Sequence, residues 1–240
     1  MIYGAILAGG IGSRMKMANM PKQFLDLGDR PIIIHTIEKF LANLRFDKIY
    51  VAICKDWNGY LCDLLRKYKA DDPRVFVIDG GRDRTETLMN TISAIEGNGP
   101  LGQDDIIVTH DAVRPFLTTR IIEENIESAL KNGMCNTVFA AIDTIVVSDN
   151  GSHITDIPNR ATMYLGQSPQ SFNILKLKSH FEKLTPEQKS ILTDACKICT
   201  LAGEKVDMIE GDVYNMKITT DGDYKLACAI YEIVSKDSTR

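Results

Sequence analysis

The sequence predicts an α/β fold: a mostly parallel twisted sheet with helices on both faces. Two observations carry this. Short β-branched, apolar runs alternate along most of the chain with stretches of helical periodicity. Several of those runs also end in glycine-rich or charged turns. In order, Ile2 to Leu7 reads as a buried strand entering a glycine turn, and Ile32 to Leu41 is helical after Pro31. Lys48 to Cys54 is a strand, Trp57 to Tyr68 a helix, and Val75 to Ile78 a short strand before Gly80-Gly81. Arg84 to Ile95 is helical, Asp105 to Thr109 a strand, Thr119 to Asn132 a helix, and Val138 to Ala141 a strand. In such sheets ligands bind beyond the carboxyl ends of the strands, so the loops after Leu7, Ile78 and Thr109 are the ones to inspect.

The stretch 144–170 breaks the alternation. Ile145-Val146-Val147 and the run His153 to Ile157 flank Asn150-Gly151, a hairpin signal. It reads as a β-arm of antiparallel strands leaving the main sheet. Without repeats, low-complexity segments or a linker, residues 1–240 read as a single domain carrying that arm.

Composition narrows the function. Hydrophobic residues are 44% and charged residues 25%, values typical of a soluble globular protein. A net charge of -4 argues against general nucleic-acid binding, which needs a dense basic face. No stretch reaches the roughly 18 apolar residues of a membrane span, and the short apolar N-terminus has no basic segment before it. A cytoplasmic protein with no membrane or nucleic-acid partner is therefore expected. Cys196 and Cys199 form a Cys-x-x-Cys, but no second pair stands at zinc spacing. They fall in an apparent helix, Thr193 to Leu201, and packed reduced thiols are the expectation.

Five segments carry chemistry. In Leu7-Ala8-Gly9-Gly10-Ile11-Gly12-Ser13-Arg14-Met15, glycines after a strand let backbone N–H groups approach phosphates. The dinucleotide fingerprint fails, because Met15 stands where its third glycine belongs, and the Gly-Lys-Ser/Thr of the ATPase phosphate loop is absent. Arg14 and Lys22, the latter just after Pro21, put two cations beside this cradle. A plain strand-to-helix turn remains the alternative for the loop alone. Gly80-Gly81-Arg82-Asp83-Arg84-Thr85-Glu86-Thr87 again follows a strand and opens a helix, a setting that suits an anion, a base or a ribose. Asp83 or Thr85 can equally be its cap. In His110-Asp111-Ala112-Val113-Arg114, Asp111 at the crevice is placed to hold Mg²⁺, or to pair with Arg114. Asp156 to Arg160 with Gly166 to Gln170 is the fourth segment. Asn215 to Asp223 is the fifth, where Thr220, Asp221 and Asp223 look like helix caps.

Together these segments resemble the small cytidylyltransferases. That family includes the methylerythritol-phosphate enzymes of isoprenoid synthesis and the ribitol-5-phosphate enzymes of teichoic-acid synthesis. The resemblance runs from Tyr3 to about Ile230. It rests on Leu-Ala-Gly-Gly at 7–10, Arg14, Pro-Lys-Gln-Phe at 21–24, Gly-Gly-x-x-Arg at 80–84, His-Asp-x-Val-Arg-Pro-Phe at 110–116 and Asn-x-Lys-Ile-Thr at 215–219. The ribitol-phosphate branch is nearer. Its members carry runs similar to those at 27–32, 35–39, 143–145, 155–160 and 192–197. The methylerythritol branch more often reads Ala-Ala-Gly where this chain has Ala8-Gly9-Gly10. One departure is Ala112, where the ribitol branch often has serine, which leaves Ala112 only a backbone contact.

The resemblance implies a nucleotide-diphospho-sugar-transferase-like, Rossmann-like sheet, Mg²⁺ dependence and a homodimer joined through the β-arm. It implies that Leu7, Ala8, Gly9, Gly10, Gly81, Arg82, Asp83, Arg84, Thr85, Glu86, Thr87 and Ala112 bind CTP. Arg14 and Lys22 would stabilise the transition state, Asp111 would hold the metal, and Arg160 and Lys217 would hold the sugar phosphate. The implied reaction joins CTP to D-ribitol 5-phosphate, giving CDP-ribitol and pyrophosphate. The same chemistry on 2-C-methyl-D-erythritol 4-phosphate is the alternative, and a non-catalytic nucleotide-binding domain is the alternative of a different class.

Overall fold

A computed structural model describes residues 1–10 and 20–237. In chain order the elements are β1 (Ile2–Ala8), a 3-10 turn (Lys22–Phe24), β2 (Asp26–Leu27), β3 (Arg30–Pro31), α1 (Ile32–Leu41), β4 (Lys48–Ile53), α2 (Asn58–Lys67), β5 (Val75–Asp79), α3 (Arg84–Gly97) and β6 (Ile106–Asp111). After these come α4 (Thr119–Asn132), β7 (Met134–Ala140), β8 (Tyr164–Asn173), α5 (Ile174–Lys183), α6 (Pro186–Ser190), α7 (Ala195–Leu201), β9 (Asp207–Glu210) and α8 (Asp221–Asp237).

The main sheet has the order β5-β4-β1-β6-β8-β7-β9. Its strands pair in parallel except β8, which runs antiparallel to both β6 and β7. The period-two geometry of a strand sorts side chains between two layers. From β1, Ile6 and Ala8 pack with α1, α2 and α4, whereas Tyr3, Ala5 and Leu7 face α3, α5 and α7. β4 does the same, with Ile49, Val51 and Ile53 on one side and Tyr50 on the other. Both faces are covered, which is why these strands read as continuous apolar runs. A third cluster of Leu27, Ile32, Val113, Ile218 and Ala227 seats α8 against the small β2-β3 ribbon.

From β1 the chain moves through β4 to β5 on one side, then returns to β6 on the other. The carboxyl end of β1 is therefore the switch point where a crevice must open.

Several boundaries differ from the sequence reading. β6 runs two residues past Thr109, so His110 and Asp111 are strand residues. β7 begins at Met134, earlier than Val138. The arm is shorter than 144–170: residues 141–163 leave the sheet, and Tyr164–Asn173 returns as β8 between β6 and β7. The expected hairpin is one bridge between Val147 and Asp156. Of the expected caps of α8, Thr220 and Asp223 hold, since Thr220 Oγ1 accepts from Asp223 N–H while Asp223 Oδ2 accepts from Thr220 N–H. Cys196 and Cys199 are buried on α7, where burial pushes the Cys199 thiol up to about 12. Among the described residues no group of three or more His, Cys, Asp or Glu could hold a metal by itself.

Candidate active site

A cleft of about 720 Å³ opens at the carboxyl ends of β1, β4, β5 and β6. Leu7, Ala8, Gly9, Gly10, Lys22, Gly81, Arg82, Asp83, Arg84, Glu86, Thr87, Asp111, Ala112 and Lys217 line it, all singled out from sequence. Thr85 sits on the same turn of α3 but does not line the cleft, nor does Arg160. Arg14 lies outside the described residues.

The two glycine segments touch each other. A Cβ on Gly9 would stand 3.0 Å from Thr87 Oγ1, and one on Gly81 would meet Glu86 Cγ at 2.5 Å. A side chain at Gly81 would force the start of α3 to shift, and one at Gly9 would crowd the Thr87 hydroxyl. The Thr87 hydroxyl accepts from Gly81 N–H at 2.9 Å and donates to the Asp83 carbonyl at 2.6 Å, folding the second loop over the start of α3. Asp83 caps that helix by accepting from Glu86 N–H at 2.8 Å. Glu86 in turn takes Arg82 Nε at 2.8 Å, well out in solvent.

Lys22 opens the 3-10 turn after Pro21, and its neighbours anchor that turn. Gln23 is buried and donates to the Ala8 carbonyl at 2.9 Å, tying the turn to the first glycine loop. Phe24 packs its ring against Trp57 and Tyr60, with centroids 5.2 and 4.9 Å away. The sequence reading missed Gln23, Cys54, Lys55 and Asn90, which also line the cleft. Cys54 and Lys55 follow β4, whose carboxyl end opens at the same edge as those of β1, β5 and β6.

Asp111 is the electrostatic centre of the cleft. Arg84 Nε lies 3.5 Å from its Oδ1, while Arg114 Nε and Lys217 Nζ each lie 3.1 Å from its Oδ2. Burial alone would raise the carboxyl, but the Arg84, Lys217 and Arg114 charges outweigh it and hold Asp111 well below the usual carboxylate range. The Arg114 alternative from sequence is thus realised, and with two further cations. His110 beside it is fully buried, and desolvation pushes it down to about 4, so it is a neutral imidazole. Ala112 donates its N–H to the Leu7 carbonyl and accepts from Thr36 Oγ1, so what it presents to the cleft is its methyl group.

A single carboxylate cannot cage Mg²⁺. It fits that ion in its usual mode, one or two carboxylates completed by substrate phosphates and water. The Arg160 guanidinium donates to the Ile142 carbonyl at 2.9 Å within its own arm, and among the described residues Arg160 is not part of the cleft lining.

A Rossmann-like sheet with a glycine-lined, cation-rich cleft at its switch point is an architecture that binds a nucleotide's phosphates. The family model described as 2-C-methyl-D-erythritol 4-phosphate cytidylyltransferase matches residues 2–233. A 4-diphosphocytidyl-2C-methyl-D-erythritol synthase from Anaerococcus prevotii superposes with a TM-score of 0.79 at 25% identity, covering 96% of this chain and 98% of that one. The 2-C-methyl-D-erythritol 4-phosphate cytidylyltransferase of Francisella tularensis does so with a TM-score of 0.78 at 27% identity, covering 94% and 97%. The enzyme of that name from Thermus thermophilus shares the fold, with a TM-score of 0.72 at 22% identity, covering 97% and 100%. The chain belongs to this cytidylyltransferase family, and it is a nucleotidyltransferase that uses CTP and a sugar phosphate.

Proposed function

We propose that the chain transfers the cytidylyl group of CTP to D-ribitol 5-phosphate, releasing pyrophosphate and CDP-ribitol. The observation that carries the chemistry is the convergence of two glycine loops, Lys22 and Lys217 on one cleft. An oxygen of the acceptor phosphate attacks the α-phosphorus, a new phosphorus–oxygen bond forms, and the bond to the β-phosphate oxygen breaks. The nucleophile is already an anion, so no general base is needed. The barrier lies in bringing two anions together and in the charge that builds at phosphorus. In this reading Lys22 and Arg14 offset that charge, and Lys217 orients the acceptor phosphate. Asp111 is the residue that would hold Mg²⁺, and the chemistry the ion would supply is Lewis-acid neutralisation of phosphate charge.

Short runs similar to the ribitol-phosphate branch, at 27–32, 35–39, 143–145, 155–160 and 192–197, support that acceptor. The second reading, 2-C-methyl-D-erythritol 4-phosphate, is favoured by the family model and by the names of the similar structures, which back it more than they back ribitol. Their identities of 25 and 27% support shared chemistry more firmly than a shared acceptor. The arm's exposed Ile142, Val146, Ile154 and Ile157 support a homodimer in which the arm, with Arg160, serves the partner's cleft. We further read the enzyme as a cytoplasmic one making a surface-polymer precursor; no helix among the described residues is long and apolar enough to cross a membrane. The test is kcat/KM with CTP for both acceptors in parallel. Ribitol 5-phosphate is expected to win by at least about tenfold. The reverse order would establish the second reading.

A further inference from the structure

We infer that His110 is a positioning residue for the acceptor side of the cleft, one member of a closed hydrogen-bonded ring that fixes Lys217 through Asp111. His110 is fully buried on β6 and does not line the cleft, so it acts only through its neighbours. Its Nε2 stands 3.1 Å from the Arg114 carbonyl oxygen, which can only accept, so Nε2 carries the proton. In the neutral ring Nδ1 is then an acceptor, and Ser168 Oγ lies 3.0 Å from it. The Ser168 hydroxyl gives its one proton to Nδ1, and its lone pairs take the Asp111 backbone N–H at 3.1 Å. Arg114 closes the ring by donating from Nε to Asp111 Oδ2 at 3.1 Å.

A second strap runs from the same guanidinium. Arg114 Nη1 donates to the Asn215 carbonyl at 2.6 Å, and the Asn215 amide donates to the Ser168 carbonyl at 2.8 Å. Lys217 is two residues further on, with Nζ 3.1 Å from Asp111 Oδ2. Every proton in this ring has one direction, so the ring admits one arrangement of β6, β8 and the loop carrying Lys217. The Phe40 ring, with its centroid 5.8 Å from the imidazole, fills the space beside it. Within the ring only Asp111 meets a residue of the glycine segments, Arg84 Nε at 3.5 Å. The His110 and Ser168 side chains bond the Arg114 carbonyl, each other and the Asp111 N–H, so their loss is expected mainly on the acceptor side.

The inference rests on reading Lys217 as the acceptor-phosphate cation. It is tested by steady-state kinetics in which CTP and the acceptor are titrated separately. The acceptor is D-ribitol 5-phosphate, or 2-C-methyl-D-erythritol 4-phosphate where that is the one turned over. His110→Phe keeps an aromatic side chain in the buried space but deletes both of its hydrogen bonds. It is expected to raise the acceptor KM about tenfold, the scale of one or two lost bonds, with the CTP KM within about twofold. His110→Gln, which can still donate to the Arg114 carbonyl, should recover part of the loss. Ser168→Ala should give the same split and add little to His110→Phe, because both break one ring. If His110→Phe does not fold, Ser168→Ala carries the test. Unchanged constants, or equal losses in both KM values, would overturn the inference. Lys217→Met, run alongside, separates the two ideas. If it spares the acceptor KM, the acceptor reading of Lys217 fails. The ring inference then stands if His110→Phe moves the constant that Lys217→Met moves, and falls if it does not.

Discussion

Replacing Asp111 by Asn removes the one negative charge shared by Arg84, Arg114 and Lys217. Arg114 is then left buried without its anion, and breaking a buried pair in this way costs about 3–5 kcal/mol. The lower end applies here. The Arg84 and Lys217 side chains keep 24% and 37% of their exposure, so water screens them, and the asparagine oxygen retains one acceptor. About 3 kcal/mol in a domain of this size lowers the melting temperature by roughly 6–12 °C. The pH dependence has a definite sign. The folded-state Asp111 value lies below its unfolded value of about 3.9, so its contribution is complete above that pH and is lost as pH falls through the folded value. The gap between parent and Asp111→Asn should be constant from neutrality to about pH 5 and narrow below about pH 4. Thermal unfolding followed by circular dichroism at pH 7 and pH 3.5 measures both. A variant melting within about 2 °C of the parent at pH 7, or a gap that widens on acidification, would refute the three-cation account. The same variant should need more Mg²⁺ for half-maximal rate; an unchanged Mg²⁺ dependence would mean that Asp111 acts through the cations alone.

Three further outcomes are expected. Lys22→Ala and Arg14→Ala should each lower turnover about a hundredfold or more without loss of fold; near-normal turnover in either would remove that residue from the chemistry. Gln23→Leu should weaken CTP binding several-fold by releasing the Ala8 loop from the Lys22 turn, which CTP titration without acceptor measures. Inactive Arg160→Ala and Lys22→Ala chains, mixed under conditions that exchange subunits, should recover about a quarter of the sites if the arm serves the partner's cleft. A mixture as inactive as its parents would show that Arg160 does not act across the dimer.

Much of the cleft was legible because its parts are local. A glycine loop after an apolar strand, and a charged residue at a strand's end, announce themselves in a few residues, and so β1, β5 and β6 pointed to the right crevice. β8 was not legible. Tyr164–Asn173 contains Gly166, Pro169, two glutamines and two serines, a poor strand by propensity. It is a strand because it lies between β6 and β7, with Ser168, Gln170 and Ser171 buried on partners far away in sequence. Thr109 Oγ1, for example, donates to the Gln170 carbonyl across 61 positions. Gln23 was missed for a related reason. A glutamine beside Lys22 reads as surface until its bond to the Ala8 carbonyl is seen. Ala112, expected as a backbone contact, has its N–H already donated to Leu7.

The central claim is attack of the acceptor phosphate on the α-phosphorus of CTP at this cleft. The most direct measurement supplies CTP with D-ribitol 5-phosphate whose phosphate oxygens carry ¹⁸O, or with labelled 2-C-methyl-D-erythritol 4-phosphate in a second reaction, and follows pyrophosphate and label. One pyrophosphate should be released per CDP-alditol formed, all ¹⁸O should remain in the CDP-alditol, and the pyrophosphate should be unlabelled. Label in the pyrophosphate would contradict that bond-making step. Tight CTP binding with no pyrophosphate released from either acceptor would contradict the account as a whole and leave a nucleotide-binding domain in its place.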